Sequence, residues 1–218
     1  MIATYRRAVL TSAAAFAGAL CLLAAAPLAM AADEAPDAMI QRLSDDVLTT
    51  IRTDKSLQGG DIGRVMSVVD SKIMPNVNFT RMTASATGPS WRKATPEQRQ
   101  RLQTEFKQLL VRTYAGALRQ VSDQSIEVRP MRSAAADKEV VVRTLVRGKG
   151  DPVQLDYRLE RSPGQGSGWK IYDLNVLGVW LVDNYRPQFA QQLNSGGVDA
   201  LIKSLAERNQ TNAQGDKR

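Results

Sequence analysis

Histidine is absent from these 218 residues, and cysteine occurs once. That Cys21 lies in an apolar run near the start, so the rest of the chain has neither residue type. The chain therefore has no Ser-His-Asp triad, no thiol nucleophile and no ordinary zinc site. Nor can disulfides brace it. Acidic residues stand singly or on exposed helical faces, as with Asp45-Asp46, and no D-x-D-x-D-G loop occurs. The run Arg147-Gly148-Lys149-Gly150-Asp151-Pro152 lacks the G-x-x-x-x-G-K-[ST] spacing of a phosphate loop and reads as a hairpin turn. No internal repeat is visible. Neither catalytic nor metal-binding residues are expected.

What is present begins with an export leader. Arg6 and Arg7 form a short positive region, and an uncharged apolar run extends from Ala8 to Leu28. Ala29-Met30-Ala31 then supplies the small-x-small pattern that signal peptidase cleaves. The run is long enough to span a bilayer, but it is Ala-rich and ends on a cleavage site, so removal after Ala31 is expected. The destination expected from it lies outside the cytoplasm. Removing 31 of 218 residues leaves 187, enough for one substantial domain with its own core. Arg6 and Arg7 go with the leader, so the formal net charge falls from +7 to +5. Export and the lack of aromatics interleaved with the charges argue against nucleic acid as a partner.

The exported part reads as helices, then strands, then helices. Pro36 and Asp37 open a helix with apolar positions Ile40, Leu43, Val47, Leu48 and Ile51, broken by Gly59-Gly60. A second carries Ile62, Val65, Val68, Val69 and Ile73 and stops at Pro75. Pro75-Asn76-Val77-Asn78-Phe79 turns into a short element through Met82, and Gly88-Pro89 ends that piece. Thr95, Pro96 and Gln98 then make a capped helix start, followed by an apolar face of Leu102, Phe106, Leu109, Leu110, Tyr114, Ala117 and Leu118. From Ser125 the period becomes two. Strands are predicted at 125–131, 139–147, 153–160 and 169–176, joined by short Gly-containing turns as an antiparallel meander. Two closing helices follow, one over 182–193 and one opening near Gly197. The polar residues 209–218 read as a disordered tail. The class is α+β: a curved four-stranded antiparallel sheet with helices on its concave side, a cone that encloses an apolar cavity.

A set of ordered motifs takes the reading further. They include Val69-Asp70, Ile73-Met74-Pro75, Asn78-Phe79, Arg81-Met82, Trp91-Arg92, Ala94-Thr95-Pro96-Glu97-Gln98-Arg99 and Thr113-Tyr114-Ala115. The C-terminal half adds Gly168-Trp169-Lys170-Ile171-Tyr172-Asp173, Gly178-Val179, Asn184-Tyr185-Arg186, Phe189 and Gly197-Val198-Asp199-Ala200-Leu201-Ile202. In order and spacing, over residues 38–207, these resemble the MlaC family of periplasmic phospholipid-binding proteins, also called the toluene-tolerance family. Two positions depart from the family pattern, which usually has an acid where Asn78 stands and a small polar residue where Trp180 stands.

The resemblance implies an extended NTF2-like cone and a carrier rather than an enzyme. Such a carrier binds phospholipid and shuttles it between an outer-membrane lipoprotein complex and an inner-membrane ABC transporter complex with its membrane-anchored substrate-binding subunit. This keeps the outer membrane asymmetric. The protein is expected to act as a monomer, without a cofactor, its cargo being phospholipid. The domains are then a cleaved signal peptide at 1–31, a lipid-binding domain at 32–208 and the tail at 209–218.

Acyl-chain contacts are expected from Val140, Val142, Val146, Val153, Leu155 and Tyr157 on the inner face of the sheet, and from Leu110 and Tyr114 on the capped helix. Phe79, Met82, Leu174, Val176, Trp180 and Tyr185 are candidates for wall or rim. The competing reading for each of these residues is ordinary core packing, because periodicity identifies an inward face but not whether it is filled. Arg143, Arg147, Arg158 and Lys170, with Arg161, are candidates for head-group or partner contact, or for a solvated sheet face. Two other readings stay open. One is a periplasmic adaptor that binds proteins through an apolar groove. The other is an isomerase- or dehydratase-like enzyme on a cone fold, with Asp173 or Asp156 as base beside Tyr157 or Tyr172.

Overall fold

A computed structural model describes residues 34–118, 121, 123–132 and 136–215. The leader predicted at 1–31 lies outside the described residues. Helix α1 (Pro36–Thr53) starts with proline at its first turn and buries Met39, Ile40, Leu43, Leu48 and Ile51. It ends sooner than predicted, at Asp54 rather than Gly59-Gly60. Asp54 is extended, and its carboxylate accepts the Ser56 and Leu57 amides to cap a second, short helix, α2 (Lys55–Gln58). A short acidic side chain that can bond nearby amides favours such a cap over a helix interior.

Helix α3 (Ile62–Val68) is capped by Asp61 and runs into a π turn at Val69–Ile73 and a 3-10 turn at Met74–Asn76 around Pro75. Helix α4 (Phe79–Thr87) begins at Asn78, whose Oδ1 accepts the Arg81 amide at 2.9 Å. The Asn78 Nδ2 donates to Glu160. An aspartate here would keep the cap but set a second carboxylate against Glu160. A short helix α5 (Ser90–Lys93) leads to α6 (Pro96–Leu118), the predicted long helix. Its capping box is formed in both directions: the Thr95 amide donates to Gln98 Oε1 at 3.0 Å, and the Gln98 amide to Thr95 Oγ1 at 3.2 Å.

The strands are β1 (Ser125–Val128), β2 (Glu139–Arg147), β3 (Val153–Arg161), β4 (Trp169–Val176) and β5 (Val179–Trp180). They form one curved, unclosed antiparallel sheet in chain order. The fifth strand was not predicted, because two residues after a two-residue turn carry no detectable period. A bulge between Arg158 and Leu159 shifts the register against β4 and bends the sheet.

Helix α7 (Leu181–Gly215) is two helical segments broken at Gly196 and Gly197, as the predicted pair of closing helices requires. Gly197 has φ 70° and ψ −160°, a conformation open essentially to glycine alone. The second segment continues through Gly215, past the predicted start of the disordered tail. Asn209 is buried there, and its Nδ2 donates to the Glu105 carbonyl and carboxylate at 3.0 and 2.8 Å.

Among the described residues, buried side chains gather in three clusters. Phe79, Met82, Phe106, Tyr185 and Phe189 centre one between α4, α6 and α7, with Phe106 edge-on to both Tyr185 and Phe189. Met39, Ile40, Val140, Val142, Leu159, Trp169 and Ile171 join α1 to the sheet. Ile51, Leu57, Val65, Val68, Val111 and Ala115 form the third, around α3 and α6. Replacing Gly197 by Ala strains the break between the two segments of α7. It is expected to lower stability by about 1–3 kcal/mol in urea unfolding.

Candidate functional site

The inner face of the sheet is set by register. Val142 pairs with Tyr157, Thr144 with Leu155 and Val146 with Val153. Tyr157 in turn pairs with Leu174, and Leu155 with Val176. Directly paired residues share a face, so these side chains form one largely apolar surface across β2, β3 and β4. Helices α1, α4 and α7 pack directly on strands, whereas α6 packs chiefly against α7, α3 and α4. The longest regular helix therefore stands off from the sheet.

Side chains between them are incompletely covered. Leu110 and Tyr114 of α6 and Leu174 and Val176 of β4 pack against the Phe106 cluster but are only partly buried. Val146, Leu155 and Tyr157 are partly buried as well. Tyr157 is the most informative. It retains accessible surface, yet burial pushes its phenol up to about 12, against the opposing effect of hydrogen bonds with Ser44 and Thr144. Tyr157 packs against the cluster that joins α1 to the sheet. Burial likewise raises the Tyr114 phenol, with Tyr185 nearby.

The other predicted contacts divide by location. Phe79, Met82, Val140, Val142 and Tyr185 are fully packed in the first two clusters and present almost no free surface. Val153 is exposed at the start of β3. Trp180 requires a correction. The turn at Leu177-Gly178 pairs Val176 with Val179 and Asn175 with Trp180, which puts Trp180 on the opposite face of the sheet. There the Arg158 guanidinium lies 3.9 Å from its ring centroid.

The basic candidates differ in the same way. Arg158 is committed to Trp180 and to Asp173, 2.8 Å away, and Lys170 Nζ donates to the Pro75 carbonyl. Arg147 is exposed and pairs with Glu127. Arg143 is exposed and lines an outer cleft of about 250 Å³ with Arg129, Arg132 and Glu139. A second cleft, of about 540 Å³, lies between α6 and α7 among Arg101, Asp199, Lys203 and Glu207.

Both acids considered as catalytic bases have structural partners. Asp173 is 1% exposed, and its Oδ1 accepts the amides of Leu174 and Val182, which fixes the start of α7 on β4. Burial raises its carboxyl, while these amides and Arg158 oppose the shift. Asp156 is buried on the face away from Tyr157, and it accepts from the Thr144 amide and Gln154 Nε2. Among the described residues, no group of three or more acids, histidines or cysteines could hold a metal ion, and no helix is long and apolar enough to cross a membrane.

Ultraviolet titration tests the enclosed phenol. Since the folded-state value exceeds the unfolded one, Tyr157 favours the fold below about pH 10, and that contribution is lost as pH rises towards 12. One tyrosine should ionise late in the wild type, and that step should vanish in Tyr157→Phe.

The MlaC protein family model matches residues 41–207. The phospholipid-binding protein from Ralstonia solanacearum, solved in complex with a phospholipid, is 48% identical. It superposes with a TM-score of 0.77 over 81% of this chain and 98% of that one. The toluene tolerance protein ttg2D of Pseudomonas putida is 28% identical, covering 84% of each chain. The intermembrane phospholipid transport system binding protein MlaC of Haemophilus influenzae is 23% identical, over 81% of this chain and 83% of that protein. With a family match running from α1 into the second segment of α7, this chain belongs to the MlaC protein family.

Proposed function

We propose that this protein is a periplasmic phospholipid carrier without catalytic activity. It holds acyl chains in the space between the sheet and α6 and shuttles lipid between an outer-membrane lipoprotein complex and an inner-membrane ABC transporter complex, through that transporter's membrane-anchored substrate-binding subunit. Its task is to maintain outer-membrane lipid asymmetry. The observation that carries this reading is the half-covered apolar surface facing α6. A relative 48% identical, solved with a phospholipid, supports it.

The energetics fit a carrier. Burying a methylene is worth ~0.8 kcal/mol, so two chains of about fifteen carbons resist water by on the order of 20 kcal/mol. The protein must replace the bilayer with an interior of similar quality. Leu110, Leu155, Leu174 and Val176 supply such walls. The Thr144 hydroxyl on that face donates to the Leu155 carbonyl, which withdraws one polar group from the hydrocarbon's path. Phe79, Met82 and Tyr185 act as the rigid backing of that wall, and Val140 and Val142 continue the same sheet face where α1 seals it. Arg143 and Arg147 are the predicted basic residues best placed for anionic head groups or an acidic partner, because Arg158 and Lys170 already hold the fold together.

Organic extraction of the protein purified from a Gram-negative periplasm, followed by mass spectrometry, tests this directly. Phospholipid is expected at a fixed molar ratio, and delipidated protein should reload from vesicles. Protein that is repeatedly empty and takes up no lipid from vesicles would overturn the proposal.

A further inference from the structure

Among the described residues, the large apolar side chains most exposed to water are Leu177 at 67%, Val179 at 53% and Val153 at 37%. All three sit at one end of the sheet, and the hairpin carrying two of them defies its own turn preference. Leu177 and Gly178 form the two-residue turn between β4 and β5, and both have positive φ, 53° and 89°. That is the type I′ pattern, for which Asn-Gly is strongly favoured. Gly178 meets it without strain. Leu177, by contrast, is the only non-glycine residue with positive φ among those described, in a conformation that crowds its Cβ.

The strained turn is nevertheless firmly held. The Leu177 amide donates to the Gln154 carbonyl at 3.0 Å, and the Gly178 amide to Asn175 Oδ1 at 2.8 Å. A leucine fixed in an unfavourable conformation, with its side chain in water, breaks a local folding rule without a folding benefit. Its use lies elsewhere, and the register says where. Val153 follows the face of Leu155, and Val179 pairs with Val176, which pairs with Leu155. The apolar face thus continues from Tyr157, packed against the α1 cluster, and Leu174, packed against the Phe106 cluster, through Leu155 and Val176 to the exposed Val153 and Val179.

We infer that this hairpin tip, with Val153, is the lip over which acyl chains pass between a bilayer and the interior of the protein. The inference rests on the carrier reading above. A chain moving through open water exposes every methylene in turn. A continuous apolar track lets part of it remain covered throughout the transfer, which lowers the barrier without changing the final bound state. Hydrocarbon is the occupant indicated, because the patch is the outer end of the surface proposed to hold it.

L177N installs the favoured turn residue and removes the apolar tip at once, and V179T supplies an independent second variant. Three quantities are compared with wild type: unfolding temperature, phospholipid bound per protein at equilibrium, and the rate of labelled phospholipid exchange with vesicles. L177N is expected to unfold at the same or a higher temperature, to bind the same amount of lipid and to exchange it on the order of threefold to tenfold more slowly. V179T should also slow exchange. Wild-type exchange rates in both variants would overturn the lip, and so would a loss of bound lipid matching the loss of rate. A lower unfolding temperature in L177N would contradict the turn argument. Wild-type protein unable to carry or take up phospholipid would sink the carrier reading and the lip together, and that control separates the two failures.

Discussion

An antiparallel sheet with one apolar face must have that face covered, and the rest of this structure follows from how unequally it is done. At the end towards Glu139 and Trp169, α1 seals the face with Met39, Ile40 and Leu43 against Val142, Leu159 and Ile171. Towards the β4–β5 hairpin, α6 faces the sheet from a distance, held by α7, α3 and α4. One sheet is thus packed solid at one end and only partly covered at the other. In water an uncovered apolar face is costly, and the proposed hydrocarbon cargo would complete it.

A surface left partly uncovered must be kept from collapsing, and the clasps that prevent collapse lie elsewhere. Arg81 joins α4 to the outer face of the sheet by bridging Glu139 and Glu160, with its guanidinium 3.6 Å from the Tyr172 ring centroid. Asp173 ties the start of α7 to β4 through two backbone amides, and Arg158 covers it from the Trp180 side. The Phe79–Phe106–Tyr185–Phe189 cluster locks α4, α6 and α7 into one body. The aromatic core lies behind the partly buried Leu110, Tyr114, Leu174 and Val176, which pack against it.

Most of this architecture was legible before any coordinates. The capping box at Thr95 and Gln98, the change of period at Ser125 and the Gly197 break place α6, the meander and the two parts of α7, because each depends on local chemistry. The end of α1 was missed because Asp54 caps forward into α2, a choice that periodicity does not register. The continuation of α7 past Asn209 depends on a long-range bond to Glu105, invisible in a locally polar segment. Trp180, a candidate for wall or rim, pairs with Asn175 on the other face because a two-residue turn that spacing does not register resets the alternation after Val176. The distinction between wall and backing depends on how far α6 stands from the sheet, a tertiary quantity to which spacing is blind. Leu177 did leave a signal: leucine before glycine, where a tight hairpin prefers asparagine.

The central claim is that the space beside α6 is hollow in the protein itself. Enlarging two of its walls, Leu155→Phe with Leu174→Phe, tests this through thermal unfolding of the delipidated protein alongside its lipid content. If the space is empty, the added rings occupy it: the unfolding temperature holds or rises while bound phospholipid falls. A loss of stability of about 1–3 kcal/mol, the usual consequence of overpacking a full core, with lipid content unchanged, would contradict the account.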